Sequence, residues 1–437
     1  MTRAANLALA PRARHVVAAK EIDTARDRGV GSPQRRIALY SHDTQGLGHV
    51  RRNTMLAAAV VAADPRAQVL LVSGAREASS LPLPERTRMA FIPGLAKDGL
   101  GHYTARRSGG TLDHVVGLRA AALDEALSAF APHLLVVDKV ARGFRGELEP
   151  ALRRLRRTHG TRTALGLRDV LDDVDATVED WERTRSGEAV DALYDEVWVY
   201  GDPAIFDPVE EYGWSAATRA KVRYTGYLAR GREQVLLDAA AATAVADAAP
   251  LLRPQLTTPY VLALVGGGQD GAAVADAFAA ATYPAGHTGV LVTGPYLPER
   301  DLARVRDLAR RRSDLRVHRF VGDVPALARG SAATVSMGGY NSVCELVASP
   351  SPALVVPRTS PRREQALRAD RFEEHGLLDV LSLDDLSPEP IGRWLGEAVT
   401  RPRRHQTHID LEGLSAVPAL ASALLDSRDE QAVRHVG

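Results

Sequence analysis

Two histidines and two arginines follow the first apolar run of the chain, within the stretch YSHDTQGLGHVRRN at residues 40–53. Gly46 and Gly48 allow a sharp turn between this run and the alanine-rich helix predicted after it. A histidine titrates near neutral pH, so His49 at the start of that helix could take a proton from a reacting hydroxyl. We therefore predict His49 as a general base or acceptor-orienting residue, with Asp43 as the second candidate.

The other polar residues of this stretch are given lesser roles. His42 directly follows the predicted strand, which makes it a less favoured base than His49. Arg51 and Arg52 are expected to face solvent or a bound diphosphate rather than to transfer protons. A single histidine is often structural, and the position of His49 at a loop–helix junction is what favours a role in chemistry.

A second glycine-rich turn occurs in LVGGGQDGAA at residues 264–273. It places Gly267, Gly268 and Gln269 between a predicted strand and a helix that begins near Gly271. Free N–H groups and the positive end of the helix dipole make such a turn a possible anion site. The stretch lacks both the lysine of a phosphate loop and the G-x-G-x-x-G spacing. A tight packing turn explains it equally well.

The richest stretch is VSMGGYNSVCELVASPSPALVVPRTSPRREQALRA at residues 335–369. After a strand, two glycines turn the chain into a helix predicted over 340–348, where exposed N–H groups would meet phosphate oxygens. The predicted phosphate contacts are Gly338, Gly339, Asn341 and Ser342. Glu345 lies one to two turns into this helix, so its carboxylate could accept hydrogen bonds from two hydroxyls.

A buried strand, ALVVP at residues 353–357, then leads through the loop RTSPRR to Glu364 and Gln365, which open another helix. In a parallel sheet, these phosphate donors, the diol acceptor and the carboxylate–amide pair would gather at one edge. The alternative is two ordinary crossover units that carry surface charge.

Residues 260–380 resemble the C-terminal, nucleotide-sugar-binding domain of GT-B glycosyltransferases, in particular the family-28, MurG-like type. That family has a GGSQGA-like turn, a helix with glycine followed by glutamate, and a strand that leads to a Gln-Gln pair. The corresponding stretches here are GGGQDGA, SMGGYNSVCELVA and ALVVPRTSPRREQ.

The resemblance implies that Glu345 binds the ribose hydroxyls of a nucleotide, and that Glu364 and Gln365 read the hydroxyls of the donor sugar. It implies that the residues near the diphosphate are Gly267, Gly268, Gln269, Gly338 and Gly339. The loop Gly322–Val324 occupies the place of a family loop beside the nucleobase, so Val324 is expected to contact the base. Glu364 replaces a family glutamine, which leaves the donor sugar open.

In the same resemblance, the first domain begins with a strand and a glycine-rich loop that contains a histidine, and GLGHVRRN occupies that place. Gly48 is therefore expected beside the bound nucleotide sugar, opposite the donor site. An inverting sugar transfer needs a base for the acceptor hydroxyl, which is the role predicted for His49. Arginines and helix N-termini would stabilise the departing nucleoside diphosphate.

These residues require elements that bring them to one place. Short apolar runs alternate with amphipathic helical runs, and the predicted strands are 36–40, 68–74, 133–138, 163–167, 196–200, 260–268, 289–294, 315–322, 332–337 and 353–357. Such alternation predicts crossover units and parallel sheets, whose ligands bind at the carboxyl ends of the strands. The predicted fold class is α/β, with two Rossmann-like parallel-sheet domains facing across a cleft, as in GT-B proteins.

The predicted domain organisation has four parts. They are a disordered N-terminal extension at 1–34, an acceptor-binding domain at 35–228, a nucleotide-sugar-binding domain at 229–411, and a C-terminal helix at 412–437 that could pack on the first domain.

The amino-acid composition limits the classes of function that the chain could have. The 437 residues have a formal net charge of +1, with 45% hydrophobic and 25% charged residues, so nothing indicates a nucleic-acid partner. The single cysteine, Cys344, excludes an intramolecular disulfide and fits a reducing compartment. Because no apolar run is long enough for a transmembrane segment or a secretory signal, a cytoplasmic protein is expected.

The sequence indicates the acceptor-binding residues less clearly than the donor-binding residues. The loop predicted at 96–110 and the pair Arg168–Asp169 should border the cleft, and the acceptor could be a small molecule, a glycan or a lipid-linked molecule. No Asp-x-Asp follows a strand, so metal-independent transfer is expected, with the nucleoside-diphosphate sugar as co-substrate and no other cofactor. A nucleotide-sugar 2-epimerase and a non-catalytic nucleotide-sugar-binding regulator are the alternatives.

Overall fold

The structure is a computed structural model that describes residues 34–42, 48–80, 82–97, 103–105, 111–232, 258–403 and 407–436. Asp43, Gly46 and the predicted N-terminal extension up to residue 33 lie outside these residues. The described strands form two parallel sheets and one short antiparallel pair. We call the residues around the first parallel sheet the first domain and those around the second parallel sheet the second domain.

The first domain contains a seven-stranded parallel sheet. Its described strands, with the antiparallel pair β4 and β5, are β1 (Arg35–Ser41), β2 (Ala67–Ser73), β3 (Thr87–Phe91), β4 (Leu95–Lys97), β5 (Tyr103–Ala105), β6 (Leu134–Asp138), β7 (Arg162–Arg168), β8 (Glu196–Tyr200) and β9 (Val222–Tyr224). Its described α-helices are α1 (Gly48–Ala63), α2 (Leu112–Phe130), α3 (Glu149–His159), α4 (Val174–Arg183), α5 (Ser186–Leu193), α6 (Pro208–Glu211) and α7 (Ala216–Lys221). The strand order β3-β2-β1-β6-β7-β8-β9 reverses its direction between β1 and β6.

The second domain contains a six-stranded parallel sheet with the order β12-β11-β10-β13-β14-β15, which reverses between β10 and β13. Its described strands are β10 (Tyr260–Leu264), β11 (Thr288–Val292), β12 (Leu315–His318), β13 (Thr334–Ser336), β14 (Ala353–Val355) and β15 (Asp379–Val380). The helices in this part of the chain are α8 (Ala272–Ala280), α9 (Glu299–Arg310), α10 (Val324–Gly330), α11 (Tyr340–Val347), α12 (Glu364–Glu374), α13 (Pro388–Ala398) and α14 (Gly413–Val436).

Both faces of the first sheet are covered by helices, which is why its strands are apolar throughout. Alternate residues of β6 show the two layers. Val136 packs in the same buried cluster as Leu56 of α1, whereas Leu135 packs in the cluster that contains Leu123 and Leu127 of α2. The predicted fold class, α/β with two Rossmann-like domains, is confirmed.

The loop predicted over 96–110 is wrong in part. Lys97 pairs with Tyr103 and Leu95 with Ala105, so this region contains the antiparallel strands β4 and β5. Strands of three residues are too short to produce a recognisable alternation of apolar and polar residues.

The C-terminal helix α14 packs along α1 and also contacts β6 and β7 of the first domain. Arg35 Nη1 donates to Ser422 Oγ at 2.9 Å, and Tyr227 N donates to Asp410 O at 2.8 Å where the chain crosses between the domains. None of the helices in the described ranges combines the length and apolar character needed to cross a membrane.

Candidate active site

The two points at which the sheets reverse their strand order border one cavity of about 260 Å³ between the domains. Loops at the carboxyl ends of parallel strands meet there, as expected for a ligand site in this class of sheet. We call this cavity the cleft. The predicted residues that line it are Gly48, His49, Gly267, Val324, Gly339, Asn341, Ser342, Glu364 and Gln365.

Four of the other predicted residues are described but do not line the cleft. Gln269 is exposed on the turn after β10, and Gly268 is buried beneath that turn. Gly338 and Glu345 are buried within the second domain. Asp43, the second candidate for a base, lies outside the described residues.

His49 lies in the first turn of α1, and its ring contacts the last residue of β6. Its Nδ1 atom is 2.8 Å from Asp138 Oδ2 and 2.8 Å from Arg52 Nη2. Because Arg52 already donates to both Asp138 oxygens, the tautomer that satisfies the ring carries its proton on Nδ1 and donates it to Asp138. Within the described residues no hydrogen bond is made to the opposite nitrogen, Nε2.

The side chains that support His49 are buried deeply. Asp138 is 3% exposed and Arg52 is 2% exposed, whereas His49 is 24% exposed. Burial alone would raise the pKa of Asp138, but the Arg52 guanidinium and His49 hold it well below its ordinary value. Arg52 therefore does not face solvent, because α1 turns this side chain towards the buried end of β6, while the residue still lines the cleft and its contact with a diphosphate stays a prediction.

His42 lies beside the proposed base. The His42 and His49 rings meet edge to face, with centroids 5.6 Å apart. Burial and the neighbouring His49 hold the pKa of His42 well below its ordinary value, so this imidazole is neutral at pH 7. His42 Nδ1 is buried and has no hydrogen-bond partner among the described residues.

Across the cleft, the turn after β13 exposes the N-terminus of α11. Gly338 has φ of +77°, and a Cβ atom at this position would lie 2.5 Å from Val355 Cγ1, so only glycine fits without strain. Gly339 is the N-cap of α11 and provides no side-chain hydrogen bond to the helix. The first N–H groups of α11 are therefore available to an anion at the cleft.

The side chains on α11 are already engaged. Asn341 Nδ2 donates to Gly48 O at 3.0 Å, and Asn341 Oδ1 accepts from Arg232 Nη2 at 3.3 Å. Glu345, 4% exposed, has its Oε1 atom 3.4 Å from Arg232 Nη1 and 3.6 Å from Arg51 Nη2. A ribose at Glu345 would have to compete with these arginines, so its predicted role stays a prediction.

Glu364 and Gln365 begin α12 at the edge of the cleft. Arg358 Nη2 donates to Glu364 Oε1 at 2.9 Å, while Oε2 is buried without a partner in the described structure. Burial would raise the pKa of Glu364, but Arg168 and Arg358 lower it to about 2. In the amide orientation that satisfies Gln365, its nitrogen donates to Met337 O at 2.7 Å and its oxygen accepts from Arg358 Nε at 3.2 Å.

Known proteins were compared with this chain in sequence and in structure. No protein-family model matches the chain. It is 28% identical over 168 residues to the UDP-N-acetylglucosamine–N-acetylmuramyl-(pentapeptide) pyrophosphoryl-undecaprenol N-acetylglucosamine transferase of Rhodopseudomonas palustris, covering 36% of this chain and 44% of that relative. The transferase of the same name from Lachnospira eligens is 35% identical over 63 residues, 14% of this chain and 18% of the relative. The chain thus spans less than half the length of either curated relative.

Two solved structures match over nearly the whole chain. CalG4, the calicheamicin glycosyltransferase, has a TM-score of 0.53 at 16% identity, covering 92% of this chain and 98% of CalG4. A UDP-glucosyltransferase from Polygonum tinctorium has a TM-score of 0.53 at 15% identity, covering 93% and 98% respectively. The chain has the GT-B fold. The predicted resemblance to MurG-like glycosyltransferases is confirmed by the curated relatives.

Two further polar residues at the end of β6, Asp138 and Lys139, are absent from the predicted set, and Asp138 contacts His49, which lines the cleft. Lys139 has φ of +69°, and burial together with the cations of Arg168 and Arg362 holds its pKa well below the ordinary lysine value. The available signal was the acid–base pair in HLLVVDKV, directly after a strand beside the point where the strand order reverses.

Arg168 lies on the side of the cleft that the first domain forms. It lines the GT-B cleft at the end of β7, and its Nε atom is buried with no partner among the described residues. Burial and the nearby cations of Arg368 and Arg52 lower the pKa of Arg168 to about 10. Among the described residues, no group of three or more His, Cys, Asp or Glu side chains could hold a metal ion.

Proposed function

We propose that this protein is an inverting glycosyltransferase that moves a sugar from a nucleoside-diphosphate sugar to an acceptor hydroxyl. One observation carries the proposal. A histidine–carboxylate pair in the first domain, His49 and Asp138, shares a cleft with the uncapped N-terminus of α11 in the second domain. The first group can accept a proton, and the second can hold the diphosphate whose departure accompanies the transfer.

In this reaction the acceptor oxygen attacks the anomeric carbon while His49 Nε2 takes the hydroxyl proton. The bond between that carbon and the diphosphate oxygen breaks on the opposite side, so the configuration inverts. Asp138 accepts a hydrogen bond from the Nδ1–H group of His49, which fixes the tautomer and orients the ring, and its negative charge stabilises the imidazolium that forms.

The leaving nucleoside diphosphate gains negative charge in the same step. N–H groups at the start of α11 are aimed at the cleft and would receive this charge without reorganisation. Arg168, on the opposite wall, would add a positive charge. On the sugar side, the unpartnered Oε2 of Glu364 is available to accept a hydrogen bond from a donor-sugar hydroxyl.

A UDP-sugar is the first donor to test, because both curated relatives are named for UDP-N-acetylglucosamine. We expect calorimetry to detect binding of UDP, and TDP and GDP serve as comparisons for the base. Incubation with a panel of nucleotide sugars should release nucleoside diphosphate slowly without an acceptor. The acceptor is proposed to be a hydroxyl of a small molecule, a glycan or a lipid-linked molecule.

The His49→Ala variant should fold normally, bind nucleoside diphosphate as the wild type does, and lose more than about tenfold in sugar transfer. Turnover like that of the wild type would remove His49 from the mechanism. Interconversion of sugars would instead indicate an epimerase. Nucleotide binding that raises Tm with no turnover would indicate a binding protein and overturn the transferase proposal.

A further inference from the structure

Arg52 occupies an unusual position behind the proposed base. Its guanidinium is 2% exposed and donates through Nη2 to both oxygens of Asp138. The same nitrogen is 2.8 Å from His49 Nδ1. Arg52 follows His49 by three residues, so both side chains project from the same face of α1 and meet Asp138 together.

Two aromatic rings enclose this guanidinium. Its central carbon lies 5.9 Å from the ring centre of Tyr200, at the end of β8, and 5.8 Å from that of Tyr340, the first residue of α11. Tyr340 Oη donates to the backbone oxygen of Tyr200 at 2.8 Å, which joins the Tyr340 side chain to the end of β8 across the two domains. Asn341 Nδ2 also donates to Gly48 O, one residue before His49. The start of α11 thus supports α1 at the proposed base.

We propose that Arg52 is a positioning residue of the transfer reaction, which fixes the Asp138 carboxylate against His49 and opposes protonation of the His49–Asp138 pair. The inference rests on the proposed function for its catalytic meaning. Arg52 itself exchanges no proton with substrate, because a guanidinium whose Nη2 donates to a buried carboxylate stays protonated. Burial alone would lower the pKa of Arg52, but Asp138 raises it above the ordinary arginine value.

Charged groups on several elements lie around His49, and Arg51 on α1 and Arg168 at the end of β7 line the same cleft as further cations. Asp138 on β6 attracts a proton to the ring, since an opposite charge in hydrogen-bond contact stabilises imidazolium. Arg52 on α1 opposes it by direct repulsion and by neutralising Asp138. His42, after β1, contacts the His49 ring, and Lys139, after β6, acts on His42 as a cation, so neither adds negative charge. Arg52 thus offsets the attraction of Asp138 for a second proton on the ring.

The test compares two substitutions that both keep a hydrogen-bond donor near Asp138. Arg52→Gln removes the charge, and Arg52→Lys is the matched control that retains it. Nitrogen-15 NMR of the histidines in the ligand-free, full-length protein follows the protonation of His49 against pH. We expect the protonation midpoint in Arg52→Gln to move up by about one pH unit or more, and Arg52→Lys to stay near the wild type. His318, on β12 of the second sheet, is the internal reference and should not move.

The wild type gives a second reading that needs no substitution. The coupling pattern of neutral His49 should identify the tautomer with its proton on Nδ1. An Nε2-protonated tautomer, or a midpoint in Arg52→Gln that is unchanged or lower, would overturn the proposal. These readings use no substrate, so they stand apart from the transferase assay. Failure of nucleotide sugars to react would count against the proposed function and leave the titration result intact.

Discussion

The cations of Arg168 and Arg362 act on the Lys139 amino group more strongly than the carboxylates of Glu364 and Asp138. Burial and the charges of Arg168 and Arg362 hold its pKa well below the ordinary 10.5. The unfolded chain therefore binds more protons than the folded chain between the two pKa values, and the free energy of unfolding rises with pH in that interval. At lower pH the folded protein carries an unfavourable charge at this position.

We predict that Lys139→Met raises Tm by a few degrees at pH 7, and that this gain disappears as the pH approaches 10.5. Methionine keeps a Cβ atom, so the backbone strain at φ of +69° is unchanged and only the charge is removed. Thermal unfolding at several pH values between 6 and 10 measures the difference.

Lys221→Met is the matched control for this prediction. Lys221 Nζ donates to the carbonyl oxygens of Val190, Asp191 and Tyr194, so its removal takes a hydrogen bond from each of these acceptors and should lower Tm. A fall in Tm for Lys139→Met, or a gain that does not depend on pH, would show that the amino group is favourably paired.

Residue chemistry was only partly predictable from the sequence. His49 could be predicted because a histidine in a glycine-rich loop is a local signal. The partner Asp138 could not, because 89 residues separate the two side chains and only the sheet order brings β6 beside β1. The buried position of Arg52 depends on the rotation of α1 against β6, which an alanine-rich helix with little polar contrast does not specify.

At the scale of elements, the turn between β13 and α11 determines where an anion can bind. Gly338 and Gly339 are adjacent, yet their surroundings differ. A Cβ atom at Gly338 would lie 2.5 Å from Val355 Cγ1 on the neighbouring strand, with φ of +77°, while one at Gly339 would meet no atom within 4 Å.

We predict that Gly338→Ala destabilises the protein by about 2 kcal/mol or more, because it combines a left-handed backbone with a steric clash. It should also weaken binding of UDP, since relief of the clash moves the start of α11. Gly339→Ala is the control and should keep the stability of the wild type. Urea denaturation and calorimetry provide the two measurements. Equal stability of both variants would mean that the turn relaxes without cost.

The strands could be predicted from the sequence more completely than the contacts of the site residues. All ten predicted strands overlap observed strands, because fully covered parallel strands are near-continuous apolar runs between turn residues. β15 has two residues and β4 three, which is too few to form a pattern. β3, TRMAF, contains an arginine and a threonine and lies at the edge of its sheet, where burial is less complete.

For the whole molecule, the arrangement of the two domains depends on contacts that no local pattern predicts. Arg368 on α12 binds Asp169 at the end of β7 through bonds of 2.8–3.0 Å, and both side chains are fully buried. Arg368 also donates to Val170 O at 3.0 Å. The sequence predicted that Asp169 borders the cleft and gave no signal for Arg368, and only the docking of the domains buries the two side chains together.

Because this pair is buried, we predict that two interdomain ion pairs differ strongly in their contribution to the free energy of unfolding. Arg368→Met leaves the Asp169 carboxylate buried without its partner and should cost about 3–5 kcal/mol. Arg371 and Glu211 also join the domains, at 2.6 Å, but their side chains are 39% and 31% exposed, so Arg371→Met should cost no more than about 1 kcal/mol. Combining Arg368→Met with Asp169→Asn should recover part of the loss, because no full charge then remains buried. Urea denaturation of the wild type and the three variants measures these differences in the free energy of unfolding. Equal costs for the two arginines would contradict the prediction. They would mean that water reaches the Asp169 site, so that the carboxylate is not fully buried between the domains.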